Sequence, residues 1–335
     1  MVGKKNVKRR MVALVVAGLF LVGCNSAPVS KEGKKENRIQ IGITQIVEHP
    51  ALDAARKGFV DALESKGFKD GEKVEIEFQN AQGDMTTTQT IAQKFVSEKK
   101  DMILAIATPS AQSAFNATKE IPIIVTAVTD PVSAGLVKTM ENPDTNVTGT
   151  SDATPIGKQF KLLKTLIPKA KKVGILYNTS ETNSEIQINR AKEIAKDFDI
   201  EIITSGVTSV NEIPQSLQSI IEKIDVLYVP TDNMIASAMP LVSAKCTEEN
   251  IPIIGAEKAH VENGALATEG IDYYQLGFQT GITAVEVLNG KEPKDLAVTT
   301  LKDTQLVINE DIAKKLKIEI PKEIKENAEF IKGGE

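Results

Sequence analysis

The sequence predicts an α/β protein of two similar lobes, each a doubly wound parallel sheet with helices on both faces. Three observations carry that prediction. Short β-branched apolar runs alternate with amphipathic stretches, which is the βαβ signature. The pattern recurs once, at offsets of 124 to 132 residues. The 335-residue chain leaves a body long enough for two separate cores.

The chain opens with Lys4, Lys5, Lys8, Arg9 and Arg10, followed by the apolar run "MVALVVAGLFLVG". A basic start and an apolar run too short for a membrane span predict a secretory signal peptide over residues 1–23. The run ends in "LVGC", which resembles the bacterial lipoprotein box and marks Cys24 for diacylation. Two acyl chains anchor a protein to a membrane surface without spanning it. Residues 24–37 are polar and aperiodic and are read as a lipidated N-terminus and tether. Cys246 is the one remaining cysteine, so no disulfide can form within the chain.

From residue 38 onward the elements follow in order. "IQIGIT" (39–44), "VEIEFQ" (74–79), "DMILAIA" (101–107) and "IPIIVTAV" (121–128) read as buried strands. Between the first two, Leu52, Ala55, Phe59, Val60 and Leu63 fall at helical spacing. "VGIL" (173–176), "DVLYVPTDN" (225–233) and a second "IPII" at 251 repeat the first half. Two copies are too few for a solenoid and are read as two lobes. The chain is expected to cross between them at "GTSD" (149–152) and "EGIDYYQLG" (269–277). The first lobe is then 38–148 with 273–300, and the second 149–272 with 301–335.

Composition excludes several classes of function. The segment before Cys24 holds five bases and no acid, so the remainder carries 45 acids against 35 bases, a formal net charge of −10. That charge disfavours nucleic acid. No nucleophile elbow, P-loop, Cys-x-x-Cys pair, zinc-protease helix or dinucleotide fingerprint follows a predicted strand. Only His49 and His260 are available as histidines, and His260, in "EKAHVENG", has no partner pattern and reads as a surface or loop residue. In "QIVEHPALD" (45–53), Glu48 and His49 are neighbours that point apart, and Pro50 suits a first helical position. That cluster reads as a helix start with His49 at the cleft rim, and no metal or cofactor is expected.

In open α/β sheets ligands sit beyond the C-terminal strand ends. The loops there are rich in helix-start residues: Thr108 as N-cap, with Pro109 at the first helical position and Ser110 behind it; Asp130 and Pro131 likewise; Asn178, Asn183 and Ser184; Thr231, Asp232 and Asn233. Several helix N-termini turned to one cleft attract a carboxylate. Asp130, Asp152, Asp232 and Asp272 can hold an ammonium group by charge-assisted hydrogen bonds. A zwitterionic amino acid satisfies both requirements.

Beyond these features, the stretches "GITQIVEHPALDAARKGF" (42–59), "TDPVSAGLV" (129–137), "LYNTSETNS" (176–184), "VPTDN" (229–233) and "EGIDYYQLGFQTG" (269–281) together resemble the extracytoplasmic solute-binding proteins of ABC importers. The fold implied is the type I periplasmic binding protein, a hinged clamp. The likeness is nearest to the branch of tryptophan and aromatic amino-acid binding lipoproteins. It implies a monomer, anchored extracytoplasmically to the bacterial cell membrane, that delivers tryptophan, tyrosine or phenylalanine to an ABC permease and its ATPase. It places Thr108 and Ser110 on the ligand carboxylate from one lobe, with Asn178 and Ser184 approaching from the other. Asp232 and Asp272 would take the ammonium, while Gln45, His49, Pro50 and Tyr273 would shape the side-chain pocket. Thr129, Asp130, Ser151, Asn183, Thr231 and Asn233 complete the expected ligand-binding set. The alternatives are a sugar, nucleoside or signalling-molecule binder of the same fold, or an enzyme using His49 with Glu181.

Overall fold

A computed structural model of the protein describes residues 38–333. The first half lays down β1 (Ile39–Gln45), α1 (Pro50–Ser65), β2 (Val74–Asn80), α2 (Met85–Ser97), β3 (Met102–Ile106), α3 (Thr108–Ala117), β4 (Ile123–Thr126) and β5 (Val147–Ser151). The strands pair in parallel in the order β5-β4-β3-β1-β2. β3 and β4 are buried along their whole length, as strands covered on both faces must be.

The second half repeats the plan. α4 (Ile156–Leu166) leads into β6 (Lys172–Asn178), α5 (Thr182–Ala195), β7 (Glu201–Val207), α6 (Ile213–Ile221), β8 (Val226–Val229), α7 (Asn233–Ser237), α8 (Met239–Glu248), β9 (Ile253–Gly255), α9 (Lys258–Glu262) and β10 (Ala267–Gly270). Its order, β7-β6-β8-β9-β10, matches the first sheet strand for strand. The sequence repeat is therefore a repeat of topology: "IGIT" lies in β1 and "VGIL" in β6, each the second strand of its sheet.

The chain then returns. α10 (Tyr273–Leu288) packs along α1, and β11 (Thr299–Thr300) adds to β5. β12 (Gln305–Asn309) joins β10 antiparallel, and after α11 (Glu310–Lys315) and α12 (Lys322–Lys325), β13 (Glu329–Ile331) closes the second sheet. One apolar core lies around the first sheet, and two lie around the second, one with α4 and α5 and one with α6 and α8. α1 and α10 approach closely because glycines face them: a Cβ on Gly277 would stand 1.8 Å from the Ala55 carbonyl oxygen.

Four local details differ from the sequence reading. A boundary at 148/149 falls inside β5, which stays paired to the first sheet through Ser151, so the chain leaves that sheet afterwards. The apolar run at 121–128 forms a strand only over Ile123–Thr126, because Ala127 turns to φ +55°. Thr108 is the first helical residue of α3, and Ala107 at φ +74° takes the cap position. Asp130 and Pro131 begin a turn, with the Ser133 amide donating to Asp130 at 2.9 Å.

Candidate functional site

The C-terminal ends of both sheets meet around a small cavity whose free space is about 10 Å³, room for roughly one water. The first sheet contributes His49, Leu52, Ala127 and Asp152, and Tyr273 of α10 closes one side. Asn183, Thr231, Asp232, Asn233, Ala236 and Glu257 come from the second. Leu52, Ala127 and Ala236 give the wall an apolar patch, and the rest is polar.

Several buried polar atoms here find no partner within the protein. They are both ring nitrogens of His49, Asp152 Oδ1, Asn183 Oδ1 and Glu257 Oε1, together with the hydroxyls of Thr108 and Ser110. Burying such groups unpaired costs about 1–3 kcal/mol each, so their gathering at the C-terminal ends of the two sheets marks a site. Thr108 and Ser110 do not line the cavity. They lie in the first turn of α3, which follows β3, and β3 sits between the strands that carry His49 and Ala127.

Asp152 and Glu257 form the acidic side. The Tyr273 hydroxyl donates to Asp152 Oδ2 at 2.7 Å. Burial pushes Glu257 up to about 8, with Asp152 adding to the effect, and burial raises Asp152 too. The same dehydration lowers His49 to about 4 and His260 to about 3, so both imidazoles are neutral at physiological pH.

Asn183 is fixed in orientation. Its Nδ2 donates to Thr231 O at 3.0 Å and to Glu181 Oε2 at 3.2 Å, which turns the unpartnered Oδ1 away as an acceptor. Glu181 also accepts from Asn178 Nδ2 at 3.1 Å, from Asn233 Nδ2 and from the Met234 amide at 3.3 Å. It braces the loops after β6 and β8 and is committed to that role.

Of the residues expected from sequence, His49, Asn183, Thr231, Asp232, Asn233 and Tyr273 line the cavity. His49 caps α1 only through its backbone, and its ring is buried at 6% exposure, inside the cleft and not at the rim. Asp232 is occupied elsewhere: it caps α7 through the Ile235 amide at 2.9 Å and accepts from the Asn178 amide at 2.6 Å and Ser184 Oγ at 2.7 Å. Burial raises it to about 7, with repulsion from Glu181 adding to the effect. Ser184 and Asn178 are thus spent within this network.

Asp272 caps α10 through the Gln275 amide at 3.0 Å and lies with Pro50 in an outer groove. Gln45 braces the first turn of α1 by donating to Asp53 Oδ1 and Val47 O, both at 2.9 Å. Ser151 Oγ donates to Thr129 O at 2.9 Å, tying β5 to the neighbouring loop. Thr129 and Asp130 reach across to the second lobe, through the Thr231 hydroxyl at 3.3 Å and an ion pair with Arg190 of α5.

Sequence reasoning named Asp152 among four candidate acids for an ammonium group but left it out of the expected ligand-binding set, and it missed Glu257 altogether. His260, read as a surface residue, is buried at 1% exposure with Nε2 3.3 Å from Glu257 Oε1. The available signal was positional, since Glu257 follows β9 as Asp130 follows β4. Among the described residues no cluster of His, Cys, Asp or Glu is arranged to hold a metal ion, and no helix is long and apolar enough to cross a membrane.

The fold has close counterparts. The chain is 52% identical, over 98% of its length and 97% of the relative's, to a tyrosine-binding protein of Clostridioides difficile. It superposes with a TM-score of 0.85 on an ABC domain from Streptococcus pneumoniae in complex with L-Trp, at 39% identity over 88% of this chain and 99% of that one. A ligand-free, open structure of a substrate-binding protein with adhesive properties from Clostridium difficile is 57% identical over the same shares, yet reaches a TM-score of only 0.67. The arrangement of this chain therefore follows the ligand-bound relative more than the open one. A family model described as ABC transporter substrate binding protein matches residues 40–332. The chain belongs to the ABC transporter substrate-binding proteins, a family that binds its ligand and does not transform it.

Proposed function

We propose that the protein captures an aromatic L-amino acid, with tyrosine the first choice, and delivers it to an ABC permease. One observation carries this reading: a cavity between two lobes has unpartnered hydroxyls at a helix N-terminus beside it and, on its wall, two buried carboxyls that each keep an unpartnered oxygen. The ligand carboxylate goes to the first turn of α3 with Thr108 and Ser110. The ammonium goes to Asp152 and Glu257, in place of Asp232 and Asp272. The side chain lies against Leu52, Ala127 and Ala236, with His49 and Asn183 Oδ1 as polar contacts. The names of the tyrosine-binding relative and of the L-Trp complex support this choice.

Closure of the lobes over ligand follows from differential contacts, since wall residues come from both. On this reading the chain is processed after residue 23 and lipidated at Cys24, which lies outside the described residues, and acts as an anchored monomer on the outer face of the membrane. Calorimetric titration of unfolded and refolded protein with each standard L-amino acid tests the ligand. An aromatic amino acid binding at micromolar Kd or tighter, about −8 kcal/mol, is expected. Binding of a sugar with no amino acid binding below millimolar refutes the reading. Radiolabelled palmitate incorporation, abolished by Cys24→Ala, tests the anchor.

A further inference from the structure

The acidic side of the cavity holds more negative charge than it can keep. Asp152 follows β5, Glu257 precedes α9, and the hydroxyl of Tyr273 at the start of α10 lies against both carboxyls. A phenol has one proton to donate, and it goes to Asp152 Oδ2 at 2.7 Å. Glu257 must therefore bring its own proton to make a hydrogen bond there.

No neighbouring group supplies a balancing cation. From α1 come His49, whose Nδ1 is 3.9 Å from Glu257 Oε1, and beyond it Asp53. α9 adds His260, at 3.3 Å from the same oxygen, and further out Glu262. His260 Nδ1 takes a share of the Ala256 amide at 3.3 Å, which leaves its Nε2 bearing the hydrogen of a neutral ring. The nearest lysine and arginine in sequence are engaged outside: Lys258 with Glu329 at 2.6 Å and Arg56 with Asp53 at 3.2 Å.

We propose that Asp152 and Glu257 are an exchange site for an organic ammonium group, holding one proton between them when free and releasing it to solvent when the ligand's –NH3+ binds. The inference rests on the amino-acid reading above. The step balances: the Glu257 carboxylic O–H ionises, its proton passes to a buffer base, and both carboxylates then face one ammonium ion. Capture is thereby selective for a cationic amine, because a neutral hydroxyl offers no charge to replace the proton. Acidification opposes capture.

The test is calorimetry of the full protein with L-tyrosine near neutral pH in phosphate, imidazole and Tris, whose ionisation enthalpies differ. The observed enthalpy should vary linearly with buffer ionisation enthalpy, with a slope of about one proton released per ligand. The Kd should tighten about tenfold per pH unit between about pH 6 and 8 and level off above. Glu257→Gln should bring the slope close to zero and flatten the pH profile, and its thermal melt reports that it folds. Tight binding with zero slope in the unaltered protein overturns the exchange and leaves the amino-acid reading standing. A slope near one that persists in Glu257→Gln overturns the assignment to this pair. Failure of every L-amino acid to bind removes the reading and the exchange together.

Discussion

Replacing Thr108 by Val and Ser110 by Ala should push ligand affinity and the stability of the ligand-free protein in opposite directions. Both hydroxyls are buried, at 2% and 0% exposure, and neither has a partner within the protein. A buried unpaired hydroxyl costs about 1–3 kcal/mol, so its removal by a near-isosteric apolar group leaves the free protein as stable or more stable. For domains of this size each kcal/mol is worth roughly 2–4 °C in Tm. The same hydroxyls are assigned to the ligand carboxylate, and a hydrogen bond to a charged group contributes about 1.5–3 kcal/mol. Each substitution should therefore weaken tyrosine binding about ten- to a hundredfold. Differential scanning calorimetry without ligand and titration calorimetry with it read the two effects separately. Unchanged affinity combined with a lowered Tm would refute the assignment and leave these residues as ordinary first-turn packing.

Three further predictions follow from other parts of the molecule. Arg190→Ala removes an ion pair to Asp130 that spans the lobes; with side chains 47% and 13% exposed, it is worth roughly 0.5–1 kcal/mol. Ligand dissociation should quicken about two- to fivefold, with no further change in Asp130→Ala/Arg190→Ala. The ligand-free protein should lose stability as pH rises from about 6.5 to about 8, because Glu257 is raised to about 8 and so binds more protons folded than unfolded across that window. Saturating tyrosine should remove the share of that fall due to Glu257 and leave the smaller share of Asp232, raised to about 7, and a thermal-melt series that is flat without ligand contradicts the prediction. Gly277→Ala should destabilise by about 1–3 kcal/mol, since its Cβ would meet the Ala55 carbonyl oxygen at 1.8 Å. A rise in Tm, as alanine's helix propensity alone would give, would show that α1 and α10 can separate freely.

The two-lobe architecture was legible because it is written in short-range patterns. β-branched runs such as 101–107 alternate with helical stripes such as Leu52, Ala55 and Phe59, and each lobe repeats the order. The loops that carry the site were legible for the same reason, since they follow strands. Which side chain in a loop faces the cavity was not. Asp232 and Asp272 look like free acids in sequence, but both are helix caps, and a cap spends its oxygens on backbone amides. Glu257 and His260 precede and occupy a helix of only five residues with no periodic signal, and their burial depends on packing against Tyr273 and His49 from distant parts of the chain. Likewise Pro50 was correctly a helix-starting residue, yet its ring faces an outer groove while its neighbour His49 turns inward.

A crystal structure of the protein with bound L-tyrosine tests the central claim most directly. The account predicts one tyrosine between the lobes, its carboxylate at the first turn of α3 within hydrogen-bond distance of Thr108 and Ser110, and its ammonium between Asp152 and Glu257. An ammonium held by Asp232 or Asp272, or a ligand seated outside this cavity, would contradict it.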